Sequence, residues 1–375
     1  MDHKPLSETR PAPLSLLDYC QPYQPLELSR RAQPRSIQVL TTPRTFSQSV
    51  VLISLIKKFG LYPAATGRAW VEGMLEESIE VIINIGSGAD DKKEMRKRLA
   101  EIFAASNRKV NISLARSGEE VVELARRAGR SDSRIVVAGG GDGTITAVAS
   151  VIIDTDKTLG VLPLGTLNHF AKDLPIPLDL EAAARTIIAG HTIRVDVGEV
   201  NQRIFLNNSS LGLYPRLVRE RENQQRLGSG KWTGFFWAGI TVLRRYPFLD
   251  IRLNADGKGF SSRTPLVFVG NNEYEMESLS VGARSCLNAG NLSLYITRDT
   301  GRLGLMRLAC RALFGGLRND KDFIALCSKE IWIETKHRRL RVAMDGEVTV
   351  MQPPLHYRIR PLSLRVLVPV ENETK

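Results

Sequence analysis

Ile135 to Phe170 reads IVVAGGGDGTITAVASVIIDTDKTLGVLPLGTLNHF, and the fold follows from its grammar. Ile135-Val136-Val137 is a short β-branched run of the kind buried on both faces of a parallel sheet. Gly139-Gly140-Gly141-Asp142-Gly143 then sets four glycines around one aspartate, and Thr144 follows. From Ile145 to Ile153 the apolar residues recur at helical spacing. A strand, a glycine turn and a helix start make a device for holding phosphate. Glycine lets the backbone come close to an anion, and the helix N-terminus offers unpaired N–H groups and a positive dipole end.

The loop lacks the Lys-Ser/Thr pair of a Walker motif, and an acidic residue stands where a dinucleotide fingerprint would crowd phosphate. An aspartate beside phosphates is accommodated when Mg²⁺ lies between them, so Asp142 is expected to meet Mg²⁺, directly or through water. A tight strand-to-helix turn would explain one glycine cluster by itself. A second apolar strand, Leu159 to Leu162, runs into another small and polar turn, Pro163-Leu164-Gly165-Thr166-Leu167-Asn168. Two such loops at the carboxyl ends of successive strands form a ligand crevice in an open α/β sheet.

With 375 residues the chain is long enough for two domains with real cores. Its 43% hydrophobic and 25% charged content are those of an ordinary globular protein. The formal charge of +12 and isoelectric point near 9.7 are not ordinary, and favour an anionic partner, either nucleic acid or an acidic membrane surface. Cys20, Cys286, Cys310 and Cys327 have no paired spacing, so neither a zinc site nor a disulfide framework is expected, and a reducing cytoplasm fits. Met1 to Cys20 carries acids and prolines without a sustained apolar core, and so does not read as a signal peptide. No window reaches the roughly 18 uninterrupted apolar residues of a membrane span.

Residues 1–76 read as an N-terminal extension, partly disordered, with seven of the 18 prolines before residue 45. Ser47 to Ile56 is a short apolar element within it. Regular alternation then begins: strand Ile79 to Ile85, turn Gly86-Ser87-Gly88, helix Lys92 to Ala105, strand Val110 to Leu114 and helix Glu119 to Ala128. The opening stretch adds two more strands, and Leu180 to Ala189 a further helix. This predicts a nucleotide-binding α/β domain with a parallel sheet over 77–193. Asn84, at the end of the first strand, lies on the same edge as the two loops. After Gly190 short strands dominate: Thr192 to Val200, Arg203 to Asn207, Leu249 to Leu253, Pro265 to Val269, Leu292 to Thr297, Ile331 to Thr335, Leu340 to Ala343, Val348 to Met351 and Ser363 to Pro369. They predict a mostly antiparallel, sandwich-like β domain over 194–375, whose last strand is free to return to the first domain. Lys231 to Tyr246 and Leu303 to Leu317 read as helical interruptions. The first of these carries Trp232, Phe236, Ile240 and Leu243 on one face and Arg244-Arg245 at its end, which suits either a core helix or an interfacial lid.

GGGDGT, PLGTLNHFA, the run Phe205-Leu206-Asn207-Asn208 through Gly212-Leu213, and Asp345-Gly346-Glu347 occur in this order. Together they resemble the diacylglycerol kinase catalytic-domain family, which includes bacterial lipid kinases and sphingosine and ceramide kinases. GGGDGT alone is shared with NAD kinases; the later motifs carry the likeness. The resemblance implies an active site in the cleft between the two domains, with ATP and Mg²⁺ as cofactors and a lipid hydroxyl as acceptor. It implies that Asn84, Gly140, Gly141, Asp142, Gly143, Thr144 and Thr146 cradle the nucleotide, together with Gly165, Thr166 and Asn168 in the second loop. It further implies that Asp142 organises Mg²⁺ and that Glu347 is the proton acceptor. Three departures stand out. Cys286-Leu287-Asn288-Ala289-Gly290-Asn291 has alanine where some bacterial members have a metal-binding aspartate. Leu114-Ala115-Arg116 lacks a threonine that often touches the nucleotide. His169 replaces an aspartate common in the second loop.

Phosphoryl transfer asks mainly for positioning, charge neutralisation and an activated hydroxyl, and Glu347 is the carboxylate available for the last. Asp-Gly between alternating strands is equally a hairpin signal needing no chemistry. None of the five histidines, His3, His169, His191, His337 and His356, pairs with Cys or acids at metal spacing. No Gly-x-Ser-x-Gly elbow supports acyl hydrolysis. The sequence therefore predicts a lipid kinase, with no nucleic-acid partner, located in the cytoplasm and peripheral at an anionic membrane surface. The oligomeric state is not legible. The rivals are a kinase of a soluble small molecule, as in NAD kinases, and a non-catalytic nucleotide-binding protein.

Overall fold

The computed structural model describes residues 78–85, 91–105, 108–212, 248–274, 284, 286–297 and 323–370. The expected N-terminal extension, the 86–88 turn and the interruptions at 231–246 and 303–317 lie outside them. The first half is built on β1 (Ile79–Asn84), β2 (Val110–Ala115), β3 (Ile135–Gly140) and β4 (Thr158–Pro163), all parallel in the order β2-β1-β3-β4. Every residue of β3 and β4 is buried, as their unbroken apolar runs require. The connections run through α1 (Asp91–Ala104), α2 (Gly118–Arg130) and α3 (Asp142–Ile152), and then α4 (His169–Asp173) and α5 (Leu180–Ala189). Side chains fix the helix starts: Ser117 accepts the Glu120 amide ahead of α2, and Asp179 accepts the Ala182 amide ahead of α5.

The second half pairs antiparallel strands. β5 (Thr192–Val200), β6 (Arg203–Phe205), β8 (Leu249–Ala255), β9 (Lys258–Thr264), β13 (Glu330–Thr335) and β16 (Leu355–Leu367) continue the first sheet to ten strands. A six-stranded sheet lies in the order β12 (Phe323–Ser328), β11 (Leu292–Thr297), β10 (Leu266–Asn271), β7 (Asn208–Gly212), β14 (Leu340–Met344), β15 (Glu347–Met351). The architecture is thus a mostly parallel α/β domain followed by an antiparallel, sandwich-like domain. One core fills the space around the parallel strands and takes in Val195, Val197, Leu364 and Val366. The other contains Leu253, Val269, Leu294, Ile333, Val342 and Tyr357. Tyr357 is fully buried; its ring meets Phe205 edge-on at 6.2 Å and its hydroxyl lies 3.0 Å from Ser209. Burial pushes that hydroxyl far above the ordinary phenol range.

Three strands escape the sequence pattern. β7, Asn-Ser-Ser-Leu-Gly, is too polar to be read as a strand, yet Ser209, Ser210 and Leu211 are fully buried between β10 and β14. β9 and β12 are missed too. β16 begins eight residues before its expected start at Ser363, just after Pro353-Pro354 and with Pro361 inside it. The register shift between Arg360 and Leu364 in the β5 pairing takes up Pro361. Below that shift β16 pairs antiparallel with β13, and above it Arg365 and Val366 pair in parallel with Thr158 and Leu159 of β4. The last strand therefore stitches the two halves into one sheet. Cys327 on β12 is disulfide-bonded, which corrects the expectation that no disulfide forms; Cys286 is free. Among the described residues no helix is long and apolar enough to cross a membrane.

Candidate active site

The rim of the parallel sheet is shaped by close backbone approach. Gly141 is the extended N-cap of α3, and it faces Gly165 of the loop after β4. A Cβ on Gly165 would lie 2.4 Å from the Gly141 Cα, so only glycine lets the two loops touch. The Leu164 amide donates to the Gly140 carbonyl at 3.0 Å, completing the contact. Thr144 is buried in the first turn of α3, and its hydroxyl accepts from the Asn84 side-chain amide at 3.0 Å. Asn84, the glycine loop and the second loop are thus brought together, as the sequence expected.

Within this rim the side chains divide. Asn168 is buried and left-handed at φ 51, a conformation asparagine tolerates. Its side chain accepts from the Gly165 amide at 3.0 Å and donates to the Pro163 and Gly165 carbonyls, so it braces the second loop from inside. Thr166 is exposed at the tip. Asp142 accepts the backbone amides of His169 and Phe170 at 3.2 and 3.1 Å, which caps α4 and clamps the first loop to the second. A carboxylate has about four acceptor positions, so Asp142 keeps further ones for another partner. His169 contributes its main-chain amide here.

The opposite side comes from the hairpin β14–β15. Asp345 and Gly346 have φ of 47° and 87°, the positive pair a two-residue turn of type I′ demands. Asp345 keeps some residual surface, yet its carboxylate is enclosed. It accepts the amides of Leu206, Asn207 and Asn208 at 2.7, 2.8 and 3.1 Å and the Thr146 hydroxyl at 2.7 Å. Burial pushes this carboxyl above the usual carboxylate range, against the pull of those four donors. Thr146 therefore spends its hydroxyl on fastening the β hairpin to α3. Two residues on, Glu347 is exposed, and a Cβ on Gly143 would lie 2.6 Å from its Oε1. The carboxylate of the β domain thus sits against the glycine loop. An isolated, solvated turn is excluded by that contact.

Sequence reasoning missed Asp345 as an anchor and missed Arg284 entirely. The Cys286–Asn291 segment is closed by protein groups: Asp196 accepts the Gly290 amide at 2.6 Å, and Asn272 accepts the Ala289 amide at 3.1 Å. Burial raises the Asp196 carboxyl above its ordinary range. Among the described residues no three His, Cys, Asp or Glu side chains gather as a metal cage.

Residues 78–200 match the model of the diacylglycerol kinase catalytic domain, and residues 212–368 that of a YegS C-terminal NAD kinase beta sandwich-like domain. The chain thus carries a diacylglycerol kinase catalytic domain followed by a YegS-type C-terminal domain. A diacylglycerol kinase of Bacillus subtilis is 27% identical over 278 residues, covering 73% of this chain and 90% of that one. One from Staphylococcus aureus is 29% identical over 278 residues, covering 73% and 87%. A solved diacylglycerol kinase structure from Bacillus anthracis matches the fold with a TM-score of 0.58 at 20% identity, over 78% of this chain and 97% of that one. A second solved chain from that organism reaches 0.64 at 23%, with the same coverage. Kinase and transferase class follow from these matches.

Proposed function

We propose that this chain transfers the γ-phosphate of ATP to a lipid hydroxyl, that of diacylglycerol or a close relative. The observation that carries the reading is the contact of the Glu347 carboxylate with Gly143 at the start of α3. Amides of the glycine loop and Thr166 of the second loop hold the nucleotide phosphates. Asn84, Gly140, Thr144, Gly165 and Asn168 give those loops their shape. Mg²⁺ characteristically takes one or two carboxylates plus phosphate oxygens and water, which suits Asp142 with its spare acceptor positions. When bound, it supplies charge neutralisation at the phosphates. Glu347 accepts the proton of the acceptor hydroxyl as that oxygen bonds to the γ-phosphorus, and the bond from phosphorus to the bridging oxygen breaks to release ADP.

The test is incubation of the full chain with labelled ATP and Mg²⁺ in three arms: diacylglycerol micelles, a total lipid extract and NAD. Label is expected in an organic-phase phosphate monoester. Label in the NAD arm instead favours a soluble acceptor, in keeping with the name of the second matched domain; label in none overturns the reading. Delivery of such a substrate calls for a membrane surface. Lys336, Arg338, Arg339 and Arg341 are exposed and, among the described residues, form no ion pair with an acid. The chain is accordingly expected to sediment with anionic vesicles at low salt and to be released as salt rises. Equal recovery with neutral vesicles would remove the electrostatic part of the proposal.

A further inference from the structure

Arg284 is buried with no exposed side-chain surface, and all five of its N–H donors have acceptors. Nε meets Asp173 Oδ2 at 2.8 Å and Nη2 meets the same oxygen at 2.7 Å. Nη1 donates to the carbonyls of Leu206 and Asn271 at 2.7 and 3.0 Å, and Nη2 to Asn207 Oδ1 at 3.0 Å. The partners lie on both halves of the molecule. Asp173 ends α4, whose first amides are held by Asp142 of the glycine loop. Leu206 and Asn207 belong to the loop whose amides hold Asp345, two residues from Glu347.

A single run of short hydrogen bonds therefore leads from the Asp142 carboxylate through α4, Asp173, Arg284 and residues 206–207 to Asp345 and the turn. We propose that Arg284 is a positioning residue: it fixes the separation between the glycine loop and the Glu347 carboxylate. Only a planar fork spans these acceptors. A lysine would present three donors from one point and lose the simultaneous contact with both halves. Arg284 touches neither nucleotide nor acceptor in this scheme; it acts through the placement of Glu347. Reactions that rely on positioning lose about 10²-fold for a displacement near 1 Å.

The inference rests on the reading of Glu347 as proton acceptor, so the test is a double-mutant cycle on the full chain. The variants are Arg284→Lys, Asp173→Asn, Glu347→Gln and the Arg284→Lys/Glu347→Gln pair, with labelled ATP and diacylglycerol micelles. Turnover per folded molecule is measured beside the affinity for ADP and the melting temperature. Arg284→Lys is expected to lower turnover by about 10- to 100-fold with ADP affinity unchanged. In the Glu347→Gln background the same change is expected to cost almost nothing further, since residues acting as one unit are non-additive. Equal losses in both backgrounds, a parallel loss of ADP affinity, or failure of both Arg284→Lys and Asp173→Asn to fold would show a merely structural role and overturn the inference. Wild-type turnover in Glu347→Gln alone would instead sink the reading of Glu347, and is seen before any Arg284 variant is compared.

Discussion

Glu347→Gln is expected to cut phosphoryl transfer by about 10²- to 10⁴-fold, the usual contribution of a positioned proton acceptor. The substitution keeps the volume and the reach of the side chain and removes only its ability to take a proton. Glu347 is exposed and sits at the first position of β15, opposite Met344. Surface changes of this sort shift stability by no more than about 0.5 kcal/mol. Melting temperature and ADP affinity should both stay near wild type while turnover collapses. That combination separates loss of chemistry from loss of fold. Turnover within a few-fold of wild type would leave the facing carboxylate without a chemical role.

Gly143 leaves room for this carboxylate at the rim. A Cβ there would come within 2.6 Å of Glu347 Oε1, so a side chain at 143 would make the Glu347 carboxylate shift away from the glycine loop. This part of the arrangement was legible in the sequence as two motifs, though not as a contact. β3, the glycine turn, α3 and β4 announce themselves through unbroken apolar runs and helical spacing, which are local properties. The antiparallel half is less legible because its strands owe their burial to partners far along the chain. Asn208 to Gly212 is the clearest case: polar residues occupy a central strand, where the Ser209 hydroxyl meets that of Tyr357 at 3.0 Å while the buried Ser210 hydroxyl has no hydrogen-bond partner among the described residues. Arg284 carries no signal at all. A lone arginine followed by Ser-Cys has no period and no motif, and its meaning comes only from acceptors at 173, 206, 207 and 271. The Asp-Gly hairpin signal and the chemical signal at 345–347 looked like alternatives in sequence. In the fold they are compatible, since the tight turn is what delivers Glu347 beside the anchored Asp345.

Asp345→Asn should cost both stability and turnover. Each carboxylate oxygen of Asp345 accepts two donors: Oδ2 takes the Leu206 amide and the Thr146 hydroxyl, and Oδ1 the amides of Asn207 and Asn208. An asparagine must turn its NH₂ toward one pair. The Thr146 hydroxyl can rotate away to find another acceptor, but the Leu206 amide cannot; on the other side two backbone amides would face the NH₂. Either orientation leaves one or two buried donors unpaired, at about 1–3 kcal/mol apiece, so a loss of about 3 kcal/mol is expected. A fold stable by about 5–15 kcal/mol survives that, with a clearly lowered melting temperature. Turnover should fall as well, by about 10²-fold, because the released turn no longer holds Glu347 against Gly143. Thr146→Val removes one donor and leaves the other three, so its effect should be smaller in the same direction. Circular dichroism melts and turnover measured on Asp345→Asn, Thr146→Val and Glu347→Gln then order the three: only the first two should lose stability, and all three should lose rate. An Asp345→Asn protein that melts and turns over like wild type would mean that the four donors do not hold the hairpin in place.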